Sequence, residues 1–223
     1  MSKKEMRKRL AALSFSEKVK ILEKLRERDK AIAAAGLRPK TTLTMTKANL
    51  RVFCRTVRER SRDNSAALRL LDRAGLTGKV IGTLREELDS MIRCIYLLSI
   101  SDRSRRDELI GKFLKGERWP VPDAKMVTLS SRLQGWTQSV YNFGCAFIHL
   151  SKYHDKSQDP LDLLNRQERE QIAQHLSYYH GFRMDSNTRF RDIVPILPRV
   201  FEKIASNLEC YVSDLENNSE LTV

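Results

Sequence analysis

The residues of this 223-residue chain that are best suited to chemistry are its histidines, and all of them lie in one interval. They are His149, His154, His175 and His180. An imidazole exchanges a proton near neutral pH, which makes histidine a common general base, and a neighbouring arginine can bind the charge of a phosphate. A histidine paired with an arginine would therefore suit the binding or cleavage of a phosphodiester.

Two such pairs are possible on sequence grounds. Arg93 could meet His149 if their two predicted helices pack face to face, and Asn142 shares the His149 side of its helix. Arg169 and His175, in the string REQIAQH, could meet only at the edge of a bundle. The alternative for His149 is a structural role, in which the ring is buried and hydrogen-bonded to a tyrosine or to the backbone.

The spacing of histidines and cysteines does not match a metal site. Cys145 and His149 are four residues apart on one helix face, but no carboxylate shares that face, and neither H-E-x-x-H nor C-x-x-C occurs. We therefore expect no metal and no cofactor. The four cysteines stand singly beside apolar residues, which predicts buried free thiols in a reducing cytoplasm. No apolar run follows the basic N-terminus, so a secretory signal is not expected.

The net charge of +13 is concentrated in one region. Residues 1–75 hold 21 Lys and Arg against 8 Asp and Glu, whereas residues 76–223 hold 20 of each kind. Such an asymmetry predicts an acidic partner for the first third of the chain, with nucleic acid as the first choice and a membrane surface as the second.

A predicted helix over residues 46–62 carries the clearest charge pattern. Its cations recur every three or four residues and fall within an arc of about 80° on a helical wheel. They are Lys47, Arg51, Arg55, Arg58 and Arg62. An apolar arc lies beside them, so one side of the helix would pack while the adjacent side meets phosphates. A merely solvated helix face is the alternative. A break is expected at residues 63–65, followed by a helix that ends at Gly75.

The elements that position these residues are predicted to be helices. The longest uncharged stretch, residues 133–151 (LQGWTQSVYNFGCAFIHLS), should be the central helix of the core, because a helix without a charged face is covered on all sides. Its polar residues argue against a membrane span. The chain is therefore predicted to be all-α, an up-and-down bundle over residues 76–215, with a basic helical extension over residues 1–75 and a frayed tail over residues 216–223.

The helix over residues 76–98 combines an apolar face with a ladder of charges. Arg85, Asp89 and Arg93 occupy successive i,i+4 positions, so they can form ion pairs along one face. The string WPVP at 119–122 must interrupt the helices after this one, and a further helix is expected over residues 123–133. The ladder is either structural or part of a site that faces the uncharged helix.

This order of elements resembles the HEPN superfamily of helical bundles, which occur in bacterial toxin–antitoxin, abortive-infection and CRISPR-linked systems. The resemblance covers residues 76–215 and rests on the helix REELDSMIRCIYLLSISDRSRRDELI, the RWPVP break, and the uncharged helix that ends in His-Leu-Ser. Active members are metal-independent ribonucleases with an arginine four to six residues before a histidine. No arginine stands at that distance before His149, whereas Arg169 and His175 satisfy the spacing.

The resemblance implies a cytoplasmic protein that engages RNA, either as a ribonuclease of a toxin–antitoxin or phage-defence system or without cleavage. It would have RNA or another nucleic acid as its partner, together with an antitoxin or acidic protein, no membrane, and a homodimer as one form of assembly. The alternative is a non-enzymatic interaction bundle whose basic region docks on nucleic acid or on an acidic partner. A helix-turn-helix DNA reader lacks its motif here.

Overall fold

The computed structural model describes residues 47–155, 157–217 and 221, together with Glu17, Glu23, Lys24 and Glu27. These last four residues are helical, and the remainder of the helices predicted for residues 1–36 lies outside the described residues. The chain divides into two compact units, Met1–Thr42 and Leu43–Val223. The basic helix that the sequence analysis placed in the N-terminal extension therefore belongs to the same unit as the bundle.

The described residues form an all-α structure without a strand, as the sequence predicted. In chain order the helices are α1 (Lys47–Arg73), α2 (Thr77–Leu98), α3 (Arg103–Leu114), α4 (Asp123–Leu133), α5 (Thr137–Ile148), α6 (Arg166–His180), α7 (Phe190–Ile193) and α8 (Leu197–Glu216). Short 3-10 turns occur at Lys152–His154, Pro160–Leu163 and Val194–Ile196. In this part of the chain, no helix is long and apolar enough to cross a membrane.

Local sequence signals explain where several helices begin and end. Gly75, two residues after α1, and Gly181, directly after α6, adopt positive φ angles of 66° and 67°, a conformation that favours glycine. The Asp102 side chain accepts a hydrogen bond from the backbone N–H of Ser104 and so caps the start of α3. Because these signals act within a few residues, the ends that they mark agree with the sequence prediction.

The break predicted near residue 64 was wrong, because α1 runs without interruption to Arg73. Asn64, one of the polar residues that suggested a break, faces α2 instead. Asn64 is buried and donates a 2.9 Å hydrogen bond to the carboxylate of Glu87, and the Ser61 hydroxyl donates to the same carboxylate. Glu87 is fully buried, so these hydrogen bonds supply the partners that a buried carboxylate requires.

The central helix of the bundle is α2, and not the uncharged stretch at residues 133–151. This helix contacts α1, α4, α5 and α8. Leu88, Met91 and Ile95 on α2 are completely buried. Consecutive helices also pack side by side in the pairs α1–α2, α4–α5 and α5–α6, as in an up-and-down bundle.

The uncharged stretch is shorter and more open than predicted. Its helix, α5, begins only at Thr137 and ends at Ile148, because residues 134–136 form the preceding turn. Gln138 donates a 2.9 Å hydrogen bond to the exposed Asn142 on the solvent side of α5. Neutral polar groups can face water as charged ones do, so a helix without charges need not be buried.

An aromatic cluster fixes the C-terminal half of α5 to the segments around it. The Phe147 ring lies 5.1 Å from the Phe143 ring, 5.5 Å from the Tyr153 ring and 5.8 Å from the Phe190 ring, measured between centroids. Edge-to-face and stacked pairs at such distances add to the burial of the rings. The cluster therefore joins α5 to the 3-10 turn after it and to α7.

The four cysteines are free thiols, as predicted, but they are not all buried. Cys54 and Cys94 lie in the core, and burial raises the pKa of the Cys54 thiol to about 12. Cys145 is half-buried, and Cys210 is exposed on α8, which contradicts the prediction for that residue. Of the predicted frayed tail, only Glu216, Asn217 and Leu221 are described, and the Leu221 N–H donates to the Leu98 carbonyl at 3.1 Å.

Candidate functional site

The charge ladder on α2 forms as its spacing predicted. Asp89 lies between two arginines, 2.9 Å from Nε of Arg93 and 3.6 Å from Nη1 of Arg85. Arg93 also reaches Asp123 on α4 at 3.2 Å, and its guanidinium carbon lies 5.3 Å from the Trp119 ring centroid. The cations of the ladder are therefore engaged by carboxylates and aromatic rings of the bundle.

Arg85 forms the contact between α2 and α5. Its guanidinium carbon lies 3.5 Å from the ring centroid of Tyr141, and its Nε donates to the Cys145 sulfur at 3.4 Å. Gly144 permits this packing, since a Cβ added there would lie 2.7 Å from the Cβ of Arg85. Arg85 is buried, so its role here is to tie the two helices together.

His149 and Arg93 are engaged in different contacts. It is the residue after the end of α5, it is exposed, and its backbone N–H donates to the Cys145 carbonyl at 3.1 Å. Among the described residues, no hydrogen bond or ion pair joins His149 to Arg93, and Asn142 is engaged by Gln138. The structure thus brings together neither the predicted catalytic pair nor a buried structural histidine.

Arg169 serves as an anchor for the loop that follows α6. Its guanidinium donates to the backbone carbonyls of Leu161, Asp185 and Thr188 at distances of 3.3, 3.1 and 3.0 Å. These bonds hold two separate stretches of loop against one helix. The guanidinium is therefore directed at loop carbonyls, and in the described hydrogen bonds it has no contact with His175.

His175 stands in an aromatic environment on the buried side of α6. Its ring centroid lies 5.0 Å from that of Trp136, 5.1 Å from that of Tyr179 and 5.3 Å from that of His180. The residue is 5% exposed, and within the described part of the chain both ring nitrogens lack a hydrogen-bond partner. Burial, followed by the charges of His180 and Lys203, lowers the pKa of His175 to about 4.

A groove of about 850 Å³ opens beside this histidine. Aromatic rings, amides and one cation form its surface, and its described lining contains no aspartate or glutamate. The main contributors are Trp136, Gln174, His175, Tyr178, Tyr179 and Arg183. Lys203 of α8 adds a second cation, with its Nζ 5.3 Å from the Tyr179 ring centroid. We call this feature the α6 groove.

The predicted row of cations on α1 is divided by a structural ion pair. Arg58 donates from Nε and Nη2 to the carboxylate of Glu209 at 2.9 and 2.7 Å, and from Nη1 to Glu216 at 2.8 Å. A guanidinium held by two carboxylates has few donors left for a phosphate. Arg58 therefore fastens α1 to α8.

The other cations of the row remain at the surface. Lys47, Arg51, Arg55 and Arg62 are exposed; Arg55 lies 3.8 Å from Glu59, and Arg62 donates to the Arg58 carbonyl at 3.3 Å. Exposed contacts of this kind are weak and can exchange for a phosphate. We call these four residues the α1 basic face.

Comparison with known proteins gives no relative for this chain. A scan against protein-family models, a search of curated proteins and a search of solved structures each find no match. Within the described residues, no group of three or more His, Cys, Asp or Glu side chains is placed to hold a metal ion. The function is therefore inferred from the geometry of the chain itself.

The sequence analysis did not identify most of the α6 groove, although a signal for it was present. Gln171, Gln174 and Tyr178 follow each other at spacings of three and four residues, so they share one side of a helix. Trp136 and Lys203 come from distant parts of the chain, and only the packing of α5 and α8 brings them to this side of α6.

Proposed function

We propose that this protein is a helical bundle that binds RNA or another nucleic acid, with the α1 basic face as a phosphate-binding surface. The observation that carries the proposal is the set of four exposed cations on one helix, Lys47, Arg51, Arg55 and Arg62. Phosphate contacts by Lys and Arg supply most of the non-specific affinity of nucleic-acid-binding proteins. No described base-reading motif accompanies them, so the proposed binding is governed by the phosphate backbone.

Binding without cleavage is the form of this function that the geometry favours. A ribonuclease of the HEPN kind needs a histidine beside an arginine that is available to a phosphate. His149 is exposed at the end of α5, and Arg93 is bound by Asp89 and Asp123. Arg169 is occupied by loop carbonyls. The non-enzymatic module is therefore the stronger of the two proposals, and its location in a reducing cytoplasm fits the free thiols.

An acidic protein partner and a homodimer are the second choices after nucleic acid in this proposal. The α1 basic face could meet carboxylates as well as phosphates, because both are anions that arginine binds in a bidentate manner. Arg58 already binds two carboxylates of its own chain in this way. A nucleic acid and an acidic protein differ in their charge density, and so the salt dependence of binding separates them.

The test replaces Arg51, Arg55 and Arg62 with Gln in the full chain and measures the affinity for a labelled RNA oligomer over a series of salt concentrations. The slope of log K against log salt should become shallower by about 0.7 for each phosphate contact that is lost. Helicity should not change, because all three side chains are exposed. Wild-type affinity that is independent of salt, or absent at low salt, would remove nucleic acid from the proposal.

A matched control removes the same charge elsewhere. Lys115 directly follows α3, Arg118 lies in the loop after it, and Lys125 lies on α4; all three are exposed. Replacing these three with Gln lowers the net charge by the same amount as the test variant. If both variants lose affinity equally, the effect belongs to the overall charge and the α1 basic face has no special role.

A further inference from the structure

The α6 groove displays aromatic surface that the fold itself does not need. The Tyr178 ring is 83% exposed and sits edge-on to Tyr179, with 4.7 Å between the ring centroids. Large aromatic rings are costly to leave in water and are enriched where a protein meets a partner. One face of an exposed ring beside a groove is a platform on which another planar group can stack.

The wall of the same groove contains a polar group that lacks its expected partners. Both nitrogens of His175 are buried without a hydrogen bond among the described residues, although buried polar atoms nearly always have one. His175 lines the groove on one side and an apolar pocket with Leu84 and Leu176 on the other. The ring of His175 therefore forms part of the buried wall of the groove, behind the exposed ring of Tyr178.

The charges around the groove favour an anion. Arg183 lines it, Lys203 lies against Tyr179, and no carboxylate is among the described lining residues. Burial first, and then the positive charges of Arg199 and Lys203, lower the pKa of His180 behind the groove. The site thus joins stacking surfaces to positive charge, which is the combination that binds single-stranded nucleic acid.

We propose that the α6 groove holds an unpaired base of a single-stranded nucleic acid, with the base stacked on Tyr178 and the adjoining phosphate at Arg183 and Lys203. The inference rests on the proposed function, in which the α1 basic face binds phosphates. Both surfaces border α8, since Arg62 of the α1 basic face lines a pocket with Glu209 of α8, and Lys203 of α8 lies against Tyr179. The volume of about 850 Å³ lies within the usual range of about 300–1,000 Å³ for ligand sites.

A single-stranded nucleic acid fits these observations better than an acidic peptide does. Carboxylates would use the cations but would leave the exposed ring of Tyr178 without a stacking partner. A base paired within a duplex could not reach the ring either, because its faces are covered by its neighbours in the stack. The ligand therefore has to offer both a free aromatic face and a negative charge.

The experiment compares two labelled probes, a short uridine oligomer and an abasic oligomer with the same number of phosphates. Replacing Tyr178 with Ala should weaken binding of the uridine oligomer about tenfold, the usual effect of losing one stacked base, and leave the abasic oligomer unaffected. Tyr178→Phe keeps the ring and should bind like the wild type. Leu150→Ala is the control for exposure, because Leu150 is 96% exposed and is not part of the groove.

The outcomes separate this proposal from the one on which it rests. If the α1 variant loses salt-dependent affinity but Tyr178→Ala binds the uridine oligomer like the wild type, the groove proposal is overturned and the α1 basic face stands. An acidic peptide that competes with the oligomer for wild-type protein but not for Tyr178→Ala would also overturn it.

If the chain binds no RNA even at low salt, the proposed function fails and the groove is tested by itself. Trp119 and Trp136 are the only tryptophans, so a Trp119→Phe chain reports on the groove through Trp136 alone. Quenching of its fluorescence by uridine monophosphate, lost on Tyr178→Ala, would uphold a base-stacking site. Absence of quenching would contradict it.

Discussion

The two most apolar helices of the bundle, α2 and α5, reverse the roles that their sequences suggest. α2 carries Arg85, Asp89 and Arg93, yet it contacts four other helices and has buried residues on nearly every side. α5 carries no charge, yet only Thr137, Ser139, Gly144 and Phe147 are buried in it. The position of a helix is therefore set by how many partners it has, and not by the absence of charges.

The difference arises from how each helix satisfies its polar groups. Arg85, Asp89 and Arg93 of α2 are paired within the ladder or covered by aromatic rings, so they can sit near the core. The amides of α5 pair with each other or face water. A helix with paired charges can be buried when other helices surround it, whereas an uncharged helix without such neighbours stays exposed.

The largest expected effects come from emptying one core site on each helix. Leu88→Ala on α2 should lower the free energy of unfolding by about 4 kcal/mol. Leu88 is fully buried, so its truncation leaves a cavity that neighbouring side chains fill only in part. Phe147→Ala on α5 should cost about 3 kcal/mol despite the larger side chain, since Phe147 is 9% exposed at the edge of the core. Urea denaturation measures both losses. A greater loss for Phe147→Ala would contradict the conclusion that α2 is more central than α5.

A smaller effect is expected where the two helices meet. Gly144→Ala adds a methyl group 2.7 Å from the Cβ of Arg85, so α5 must move away from α2. We expect a loss of about 1–3 kcal/mol, the usual cost of overpacking. Gly82→Ala is the matched control, because nothing lies within 4 Å of its added Cβ. Equal stability of the two variants would show that the close approach is not required.

Mild acid should lower the free energy of unfolding, because His175 on α6 is buried in its neutral form. The pKa of His175 in the folded chain is lowered to about 4, below the usual value of about 6.5 in an unfolded chain. The neutral ring contributes fully above pH 6.5, and stability should fall by about 1.4 kcal/mol per pH unit below that value. The pKa of His180 is also lowered, which adds to the same trend.

Thermal unfolding followed between pH 7 and pH 5.5 tests this expectation, since carboxylates are still ionised there. His175→Gln removes the titrating group and should flatten the decline, leaving the smaller part due to His180. A decline of equal steepness in both proteins would mean that His175 is not the group that titrates.

The smallest effect should come from His149, at the open end of α5. His149→Ala should change the free energy of unfolding by less than about 0.5 kcal/mol, because the ring is exposed. RNA binding should also be unchanged. A loss of RNA cleavage on this substitution, measured without metal and in the presence of EDTA, would instead return the ribonuclease hypothesis to first place.

Much of the helical pattern follows from the sequence alone, because its causes are local. The ladder of Arg85, Asp89 and Arg93 forms as expected, since residues four apart on a helix are neighbours wherever the helix lies. The helix over residues 123–133 and the helix end at Gly75 were also predicted, because the proline and glycine signals that mark them act within a few residues. The all-α class was predicted as well, and the described residues confirm it.

The tertiary structure decided which of these helices is central and what each candidate residue does. Arg58 looked like its neighbours on α1 until α8 brought Glu209 and Glu216 to it from more than a hundred residues away. Trp136 joins the aromatic surroundings of His175 only because it packs onto α6 from a distant part of the chain. Contacts between distant segments have no periodic signature in the sequence, so the site they form becomes visible only when the helices are packed.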